Sequence, residues 1–329
     1  MKILAIETSC DDTAFSIVEN GTKVLSSVRH SQVDHTQWGG VVPELAGRLH
    51  AENWPAVLEA CLSEARLTLD DMDYLAVTQG PGLAPALLNG TVVASFLSLL
   101  YQKPVLPVHH IFGHVCSVFL DRSLDEILFP SLVLTVSGGH TEIYLWKSTK
   151  KKKKIGYTRD DAAGEAYDKV AKMLGLGYPG GPVVSQYAQK GDRKKFKLPH
   201  IYLEKETLDF SFSGLKAAVY RKVQDYKEQK NGEIDLLKDE SFIADLCASF
   251  EHTVCKIFDK KVDRARQQYS SIRQVHFVGG VSANVFIKKA IQGILQPYGI
   301  RFLTPKNIQY STDNAAMIAS AAYFLIESQ

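Results

Sequence analysis

Cysteine is in short supply. Cys10, Cys61, Cys116, Cys247 and Cys255 are scattered through 329 residues, odd in number and without a C-x-x-C pair. That excludes a disulfide framework or a thiolate zinc site as the organising principle, and a reducing cytosol fits best. Long apolar runs are missing too. The opening run Ile3–Ile6 breaks at Glu7, too soon for a secretory signal. The most apolar stretch, LLNGTVVASFLSLLY (87–101), is shorter than 18 residues and holds Asn89 and Gly90. It reads as a buried helix, so no membrane is expected and the chain is expected in the cytoplasm. Net charge is nearly absent as well, with 38 Lys and Arg against 36 Asp and Glu. This neither demands nor excludes nucleic acid, so the distribution of charge has to decide.

Two nucleotide motifs are absent. No segment matches G-x-x-x-x-G-K-[ST] or a proper G-x-G-x-x-G, so the P-loop and dinucleotide readings both fail. Glycine turns are nevertheless present after expected strands, at QGPG (79–82), VSGG (136–139) and VGGVSAN (278–284). Such turns let backbone N–H groups approach an anion, and a following helix N-terminus adds a favourable dipole. Any one of them is equally a tight turn without a ligand. Three together, two of them leading into helices, favour a ligand.

The chain begins as a β-meander: KILAIET (2–8), a turn at SCDD (9–12), TAFSIVE (13–19), the hairpin signal Asn20-Gly21, then TKVLSSVR (22–29). Pro43 opens a helix over 44–65 with an expected kink near Pro55. A strand at 74–79, a helix from about Pro85 to Tyr101, and a short strand at 105–109 follow. The meander then recurs at SLVLTV (131–136), SGGH (137–140) and TEIYLWKS (141–148), which suggests an internal duplication. The lysine run at 150–154 reads as an exposed loop. Helices are expected at about 164–174, 213–229 and 240–268, with YPGGP (178–182) as a turn. QVHFVGG (274–280) reads as the last strand, 281–295 as a helix directly after it, and 311–327 as a closing helix capped by Ser311 or Thr312.

VHHIFGH (108–114) places His110 and His114 four residues apart, on one face of a helix and close enough to share an ion. An H-x-x-x-H pair alone is equally a pair of core or surface histidines. A zincin peptidase needs H-E-x-x-H, with the glutamate as base, and the second position here is Ile111. That argues against a metallopeptidase and leaves open a metal that holds a substrate.

Taken together, IETSCDDT (6–13), GGVVPELAGRLH (39–50), TQGPGL (78–83), PVHHIFGH (107–114), VSGGHTE (136–142), DDAAGEAYDKVAKMLGLGYPGGP (160–182), DFSFSGLK (209–216), GGVSAN (279–284) and STDNAAMIA (311–319) resemble the bacterial TsaD family. These are the tRNA threonylcarbamoyladenosine transferases, once described as glycoproteases, within the actin-like superfamily. The resemblance implies an α/β, duplicated actin-like (ASKHA) fold. Each of its two lobes is a mixed sheet with helices, and the ligand cleft lies between them. One lobe is expected over 1–118 plus 311–329, the other over 119–310 with a helical insertion at about 160–260. The implied activity moves a threonylcarbamoyl group from threonylcarbamoyl-AMP to N6 of adenosine 37 in tRNAs that read codons beginning with A. An actin-like ATPase or a regulatory scaffold is the alternative, but such ATPases hold magnesium with oxygen ligands and water rather than with histidines.

The resemblance also implies a ligand set. One divalent metal ion per subunit, iron ahead of zinc, falls to His110, His114 and Asp313. The adenylate falls to Thr135, Val136, Ser137, Gly138, Gly139, Asp168, Gly181 and Asn284. Two positions depart from the family pattern: Asp12 stands where glutamate is common, and Ser185 where many members carry an aspartate that meets the ribose. Asp12, at the first hairpin turn, is the candidate to orient the amine or accept its proton. Alternatively it is a turn residue that caps its own backbone. The N–H groups of Ser137–Gly139 are candidates to stabilise developing negative charge. The implied partners are the tRNA anticodon loop, a TsaB-like paralogue and a TsaE-like P-loop ATPase. The basic segments 150–154 and 190–197 could meet the tRNA backbone or simply be solvated loops.

Overall fold

A computed structural model describes residues 1–32, 35, 40–149, 151–200, 207–230 and 236–328. Gly39 of the second resemblance motif and Lys150 of the lysine run lie outside them. The chain divides into two compact units: Met1–Phe129 with Lys147–Lys152 and Leu303–Gln329, and Pro130–Trp146 with Lys153–Phe302.

The first unit is built on a sheet in the order β3-β2-β1-β4-β5. Its strands are β1 (Lys2–Glu7), β2 (Asp12–Glu19), β3 (Lys23–Ser31), β4 (Tyr74–Gly80) and β5 (Val105–His109). β1 runs antiparallel to β2 and parallel to β4. The hairpin between β2 and β3 turns at Asn20 and Gly21, which both take positive φ, 51° and 70°. A Cβ on Gly21 would come within 2.3 Å of the Tyr323 ring, so the turn needs glycine for space as well as for backbone angle. Ile3, Leu4, Ala5 and Ile6 are fully buried, as a strand covered on both faces requires.

Helix α1 (Pro43–Ala65) runs on through Pro55 as one element. α2 (Ala84–Tyr101) packs on α1 and β4. The expectation of a buried helix at 87–101 is corrected here. Ala86, Gly90, Val93, Ala94 and Leu97 face inward, whereas Leu88, Val92, Phe96, Leu99 and Leu100 are more than half exposed. Uniformly apolar composition hid the two faces. With 18 residues it is, among the described residues, the one helix whose length and composition alone would reach across a membrane. Exposed apolar surface of this kind commonly marks a contact site. α3 (His110–Cys116) follows β5 without a gap, and α9 (Ala315–Ile326) packs against β1, β2 and α3. The cap of α9 is Asn314, whose side chain accepts from Met317 N, and not Ser311 or Thr312. Residues 311–313 stay outside the helix.

The second unit repeats the plan. Its sheet is ordered β10-β9-β6-β7-β8, from β6 (Ser131–Val136), β7 (Thr141–Ser148), β8 (Lys151–Tyr157), β9 (Gln274–Val278) and β10 (Arg301–Leu303). Read from β8 to β10 this is the order of the first sheet, and β6 again pairs antiparallel with its hairpin partner and parallel with a later strand. The duplicated strand order meets the expectation of an internal repeat. Four differences stand against the sequence reading. Lys151–Lys154 form the start of edge strand β8 rather than a loop, and lysines on an edge discourage further pairing. YPGGP leads straight into a helix, α5 (Gly180–Ala188). β10 follows what was read as the last strand. After β9 comes a 3₁₀ turn, and α8 (Val285–Leu295) begins only at Val285, capped by Asn284. α4 (Ala163–Leu174), α6 (Ser213–Gln229) and α7 (Glu240–Gln268) lie where helices were expected. They surround a core that includes Leu134, Val170, Phe250, Phe258, Phe277 and Ile291. Each such side chain contributes roughly 1.5–3 kcal/mol on burial.

Candidate functional site

The β5–α3 junction decides where the histidines go. A strand that passes directly into a helix fixes the first turn of that helix, and residues four apart then share a face. His110 and His114 are both buried, their rings edge to face with centroids 4.7 Å apart. Asp313, held just ahead of the Asn314 cap, brings Oδ1 to 3.5 Å from His110 Nε2 and 3.2 Å from His114 Nε2. One donor atom from each of the three lies within 4.8 Å of the others. Both ring nitrogens of His114 are buried without a hydrogen bond. A buried imidazole left unsatisfied beside a carboxylate is what a cation-binding set presents before its ion arrives, so the donors fit a divalent metal.

Glu7, which the sequence reading overlooked, completes this centre. It ends β1 as the one acid in an apolar strand, and it is wholly buried. Its Oε2 lies 3.1 Å from His110 Nδ1 and accepts from Thr78 Oγ1 at 2.5 Å, while Oε1 accepts from Ser9 N at 2.6 Å. A carboxylate behind one ring nitrogen leaves the other, Nε2, facing Asp313 and available as a ligand. Burial opposes the charge on Glu7, but His110 outweighs it and holds the carboxyl below its usual range. Burial likewise opposes an imidazolium at His110. Asp313 and Glu7 win, and the group is held up at about 9. Asp313 is drawn well below the carboxylate range despite burial, by His110 and His114.

Asp12 opens β2, paired with Ser31 of β3, rather than sitting in the turn proper. Its side chain accepts from Ser31 Oγ and meets the Arg29 guanidinium at 3.5 Å; neither contact is to its own turn backbone. Arg29 also donates to Thr312 Oγ1 at 2.6 Å, and so ties Asp12 to the segment that carries Asp313. Burial dominates at Asp12 and pushes its pKa up to about 6, against the lowering pull of Ser31 and Arg29.

In the second unit the glycine turn after β6 is partly closed. Ser137 N donates to His140 O at 2.8 Å, so it is not available to an incoming anion. Of the three N–H groups, this leaves those of Gly138 and Gly139. A Cβ at either would meet nothing within 4 Å, so the space in front of the turn is open. Thr135 and Val136 are fully buried in β6 and support the turn from behind. Asp168, on α4, accepts from Gly180 N at 2.8 Å and caps α5. Gly180 has no room for a side chain, because a Cβ would lie 2.6 Å from Asp168 Cα, whereas Gly181 faces open space. Burial raises the Asp168 pKa, against the backbone donors Gly180 and Gly181. Asn284 donates from Nδ2 to Ser185 Oγ at 2.9 Å, which joins two of the expected donor contacts. Part of the basic character of 150–154 and 190–197 is spent internally. Lys152 lies over the Phe112 ring, Lys154 pairs with Glu142, Lys190 with Glu240, and Arg193 lies near Glu251.

Two sheets of matching strand order, glycine turns at the strand ends and a His-His-Asp cluster with both histidines buried define an actin-like fold that carries a donor set of metal type. Residues 23–320 match the family described as TsaD, tRNA N6-adenosine threonylcarbamoyltransferase, and the chain belongs to that family of transferases. A relative of that name from Mycoplasma capricolum subsp. capricolum is 44% identical over 324 residues, covering 98% of this chain and 97% of the relative. Another from Mesoplasma florum is 42% identical over 329 residues, covering 100% and 99%. Among solved structures, full-length HypF in its phosphate- and nucleotide-bound form aligns with a TM-score of 0.61 at 13% identity, covering 99% of this chain and 46% of that one. Component A of (R)-2-hydroxyglutaryl-CoA dehydratase from Acidaminococcus fermentans aligns at 0.52 with 14% identity, covering 98% of each chain. At such identities these structures speak for the fold alone.

Proposed function

We propose that this chain transfers the threonylcarbamoyl group of threonylcarbamoyl-AMP to N6 of adenosine 37 in the anticodon loop of tRNAs reading codons that begin with A. The bond from the carbamoyl carbon to the phosphate oxygen breaks, a bond from that carbon to N6 forms, AMP leaves, and one proton leaves the amine. The acceptor amine is conjugated with its ring and poorly nucleophilic, so placement and proton removal carry much of the task. Asp12 orients the amine and takes its proton, and Arg29 and Ser31 hold that carboxylate. His110, His114 and Asp313 hold one divalent metal ion, iron ahead of zinc, with Glu7 fixing the tautomer of His110. The ion, when bound, polarises donor oxygens as a Lewis acid. In the second unit, Gly138 and Gly139 offer N–H groups to the donor, backed by Thr135, Val136 and Ser137. Asp168, Gly181, Ser185 and Asn284 take its nucleotide portion. Adenosine 37 is in a single-stranded loop, so its base turns outward without opening a duplex. A TsaB-like paralogue and a TsaE-like P-loop ATPase are the partners, and the work is done in the cytoplasm.

The observation that supports this reading best is the cluster of buried His110 and His114 with partly exposed Asp313, and Glu7 behind it, in a chain of this family. The test is mass spectrometry of tRNA nucleosides after incubation with the adenylate, the partners and this protein. Threonylcarbamoyladenosine should accumulate with the wild type and not with His110→Ala. Its absence with wild-type protein and fresh donor would defeat the reading.

A further inference from the structure

The turn that carries Asp12 is held from the side of helix α1. His50, the last residue of GGVVPELAGRLH (39–50), lies on the buried face of α1 and is 1% exposed. Its two ring nitrogens reach the chain on either side of Asp12. Nε2 lies 3.0 Å from the carbonyl oxygen of Cys10, two residues before, and Nδ1 lies 2.7 Å from Oγ1 of Thr13, one residue after. Thr13 is itself fully buried. A side chain that only filled this space would be apolar, since two buried ring nitrogens are costly unless both are bonded.

The partners fix the hydrogens. A carbonyl oxygen only accepts, so Nε2 carries the hydrogen and donates to Cys10 O. Burial keeps the His50 pKa below its ordinary value, against the raising pull of Cys10 O, Glu7 and Asp11. The ring is therefore neutral, Nδ1 is bare, and Thr13 donates its hydroxyl to it. The other tautomer would set a bare Nε2 against a carbonyl oxygen. A second histidine holds the turn from the same side. Nδ1 of His35 accepts from Val42 N at 3.3 Å, so its Nε2 donates to Gln32 Oε1 at 2.8 Å. Gln32 donates from Nε2 to Ala46 O of α1 at 3.2 Å, and from its backbone N to Asp11 O at 3.0 Å. Cys10, Asp11 and Thr13 are thus each anchored, and Asp12 is placed by its neighbours.

We propose that His50 is a positioning residue for the transfer step, fixing the chain on both sides of Asp12 and so setting where that carboxylate meets the acceptor amine. The inference rests on the reading that Asp12 orients the amine and takes its proton. Ser31 and Arg29 direct the Asp12 side chain, whereas His50 places the backbone from which it extends. Proton removal needs a contact of roughly 3 Å between base and amine. A displacement of about 1 Å that starts away from the chemistry can slow a reaction on the order of 100-fold.

The test is single-turnover transfer to tRNA, with affinity for threonylcarbamoyl-AMP, metal content and thermal melting measured on the same proteins. The variants are His50→Ala, His50→Gln, Thr13→Val, Asp12→Asn, and His50→Ala combined with Asp12→Asn. His50→Ala should transfer about 10–100-fold more slowly while donor affinity and metal content stay at wild-type levels. His50→Gln, whose amide can donate to Cys10 O from close to the place of Nε2, should recover much of the rate. Thr13→Val removes the other bond at nearly the same volume and should also slow transfer with donor affinity intact. In the Asp12→Asn background, His50→Ala should cost little more, because residues that act as one unit are not additive. A full rate in folded His50→Ala, or equal slowing in both backgrounds, overturns the proposal and leaves Asp12 as the base. Rate, donor affinity and metal content that fall together, without rescue by glutamine, mark a purely structural role and overturn it too. Should His50→Ala fail to fold, Thr13→Val carries the same comparison, and a full rate there overturns the proposal. A fully active Asp12→Asn enzyme removes the reading of Asp12 itself, and the proposal with it.

Discussion

The carboxylate of Glu7 stands 3.1 Å behind Nδ1 of His110, on the far side of the ring from Asp313. The two residues come from opposite ends of the first sheet's sequence, β1 and α3, and meet because β1 and β5 flank β4. If Glu7 governs the ring's tautomer, Glu7→Gln should lower metal affinity about 10–100-fold. Chelator competition with metal analysis on folded protein reads this directly. Undiminished affinity would reduce Glu7 to a packing residue.

His110→Ala, His114→Ala and Asp313→Ala should each lose metal and transfer together. A metal site with three protein ligands loses affinity steeply when any one is removed. Full occupancy in the His110→Ala/His114→Ala double variant would place the metal elsewhere.

Asp12 carries a prediction in pH. With its carboxyl pushed up to about 6, a base at this position should bring the single-turnover transfer rate up about tenfold from pH 5 to pH 7. Asp12→Asn should cut the rate with little loss of donor affinity, and Asp12→Glu should stay active. A fully active Asp12→Asn enzyme ends the assignment.

The same shift has a consequence for stability, and its sign is opposite to that of an ordinary salt-bridged acid. The folded state holds this proton more tightly than the unfolded chain does. The group therefore favours folding most below the unfolded value near 4, and that advantage is lost as pH rises through about 6. Asp12→Asn should melt at a higher temperature than wild type at pH 8, with the difference shrinking as the pH falls towards 4. Melting curves across that range check it.

Peptidase activity should be absent. Ile111, 1% exposed, occupies the place where a zincin carries its glutamate. Purified protein should leave glycoprotein substrates intact, and cleavage that vanished in His114→Ala would contradict this.

Much of the centre was legible because its parts are local. The i, i+4 histidines needed only a helix, and Asn20-Gly21 needed only its turn chemistry. Glu7 was harder: in KILAIET it looks like the end of a strand, and nothing local says that His110 will arrive a hundred residues later. Arg29 is hidden for the same reason, since its tertiary partners Asp12 and Thr312 give it its role. α5 was missed because proline and glycines that read as a turn also suit a first helical turn, where backbone N–H groups need no intrahelical partner. The cap of α9 was misplaced by two or three residues because Ser311, Thr312 and Asn314 are all competent caps, and only the bond to Met317 N chooses among them.

The placement of Asp313 ahead of α9 also sets an order of events during synthesis. β1 to β5 and both histidines leave the ribosome early, but the third proposed ligand follows His114 by roughly 200 residues, which at ordinary elongation rates is about 10–40 s. Through that interval the surface of the first sheet that α9 will cover stays open, and the nascent chain offers two of the three proposed ligands. On the proposed reading of the centre, metal capture is therefore a late step that reports completion of the first unit, and a chain stalled within the second unit would have its first sheet in place but no complete donor set.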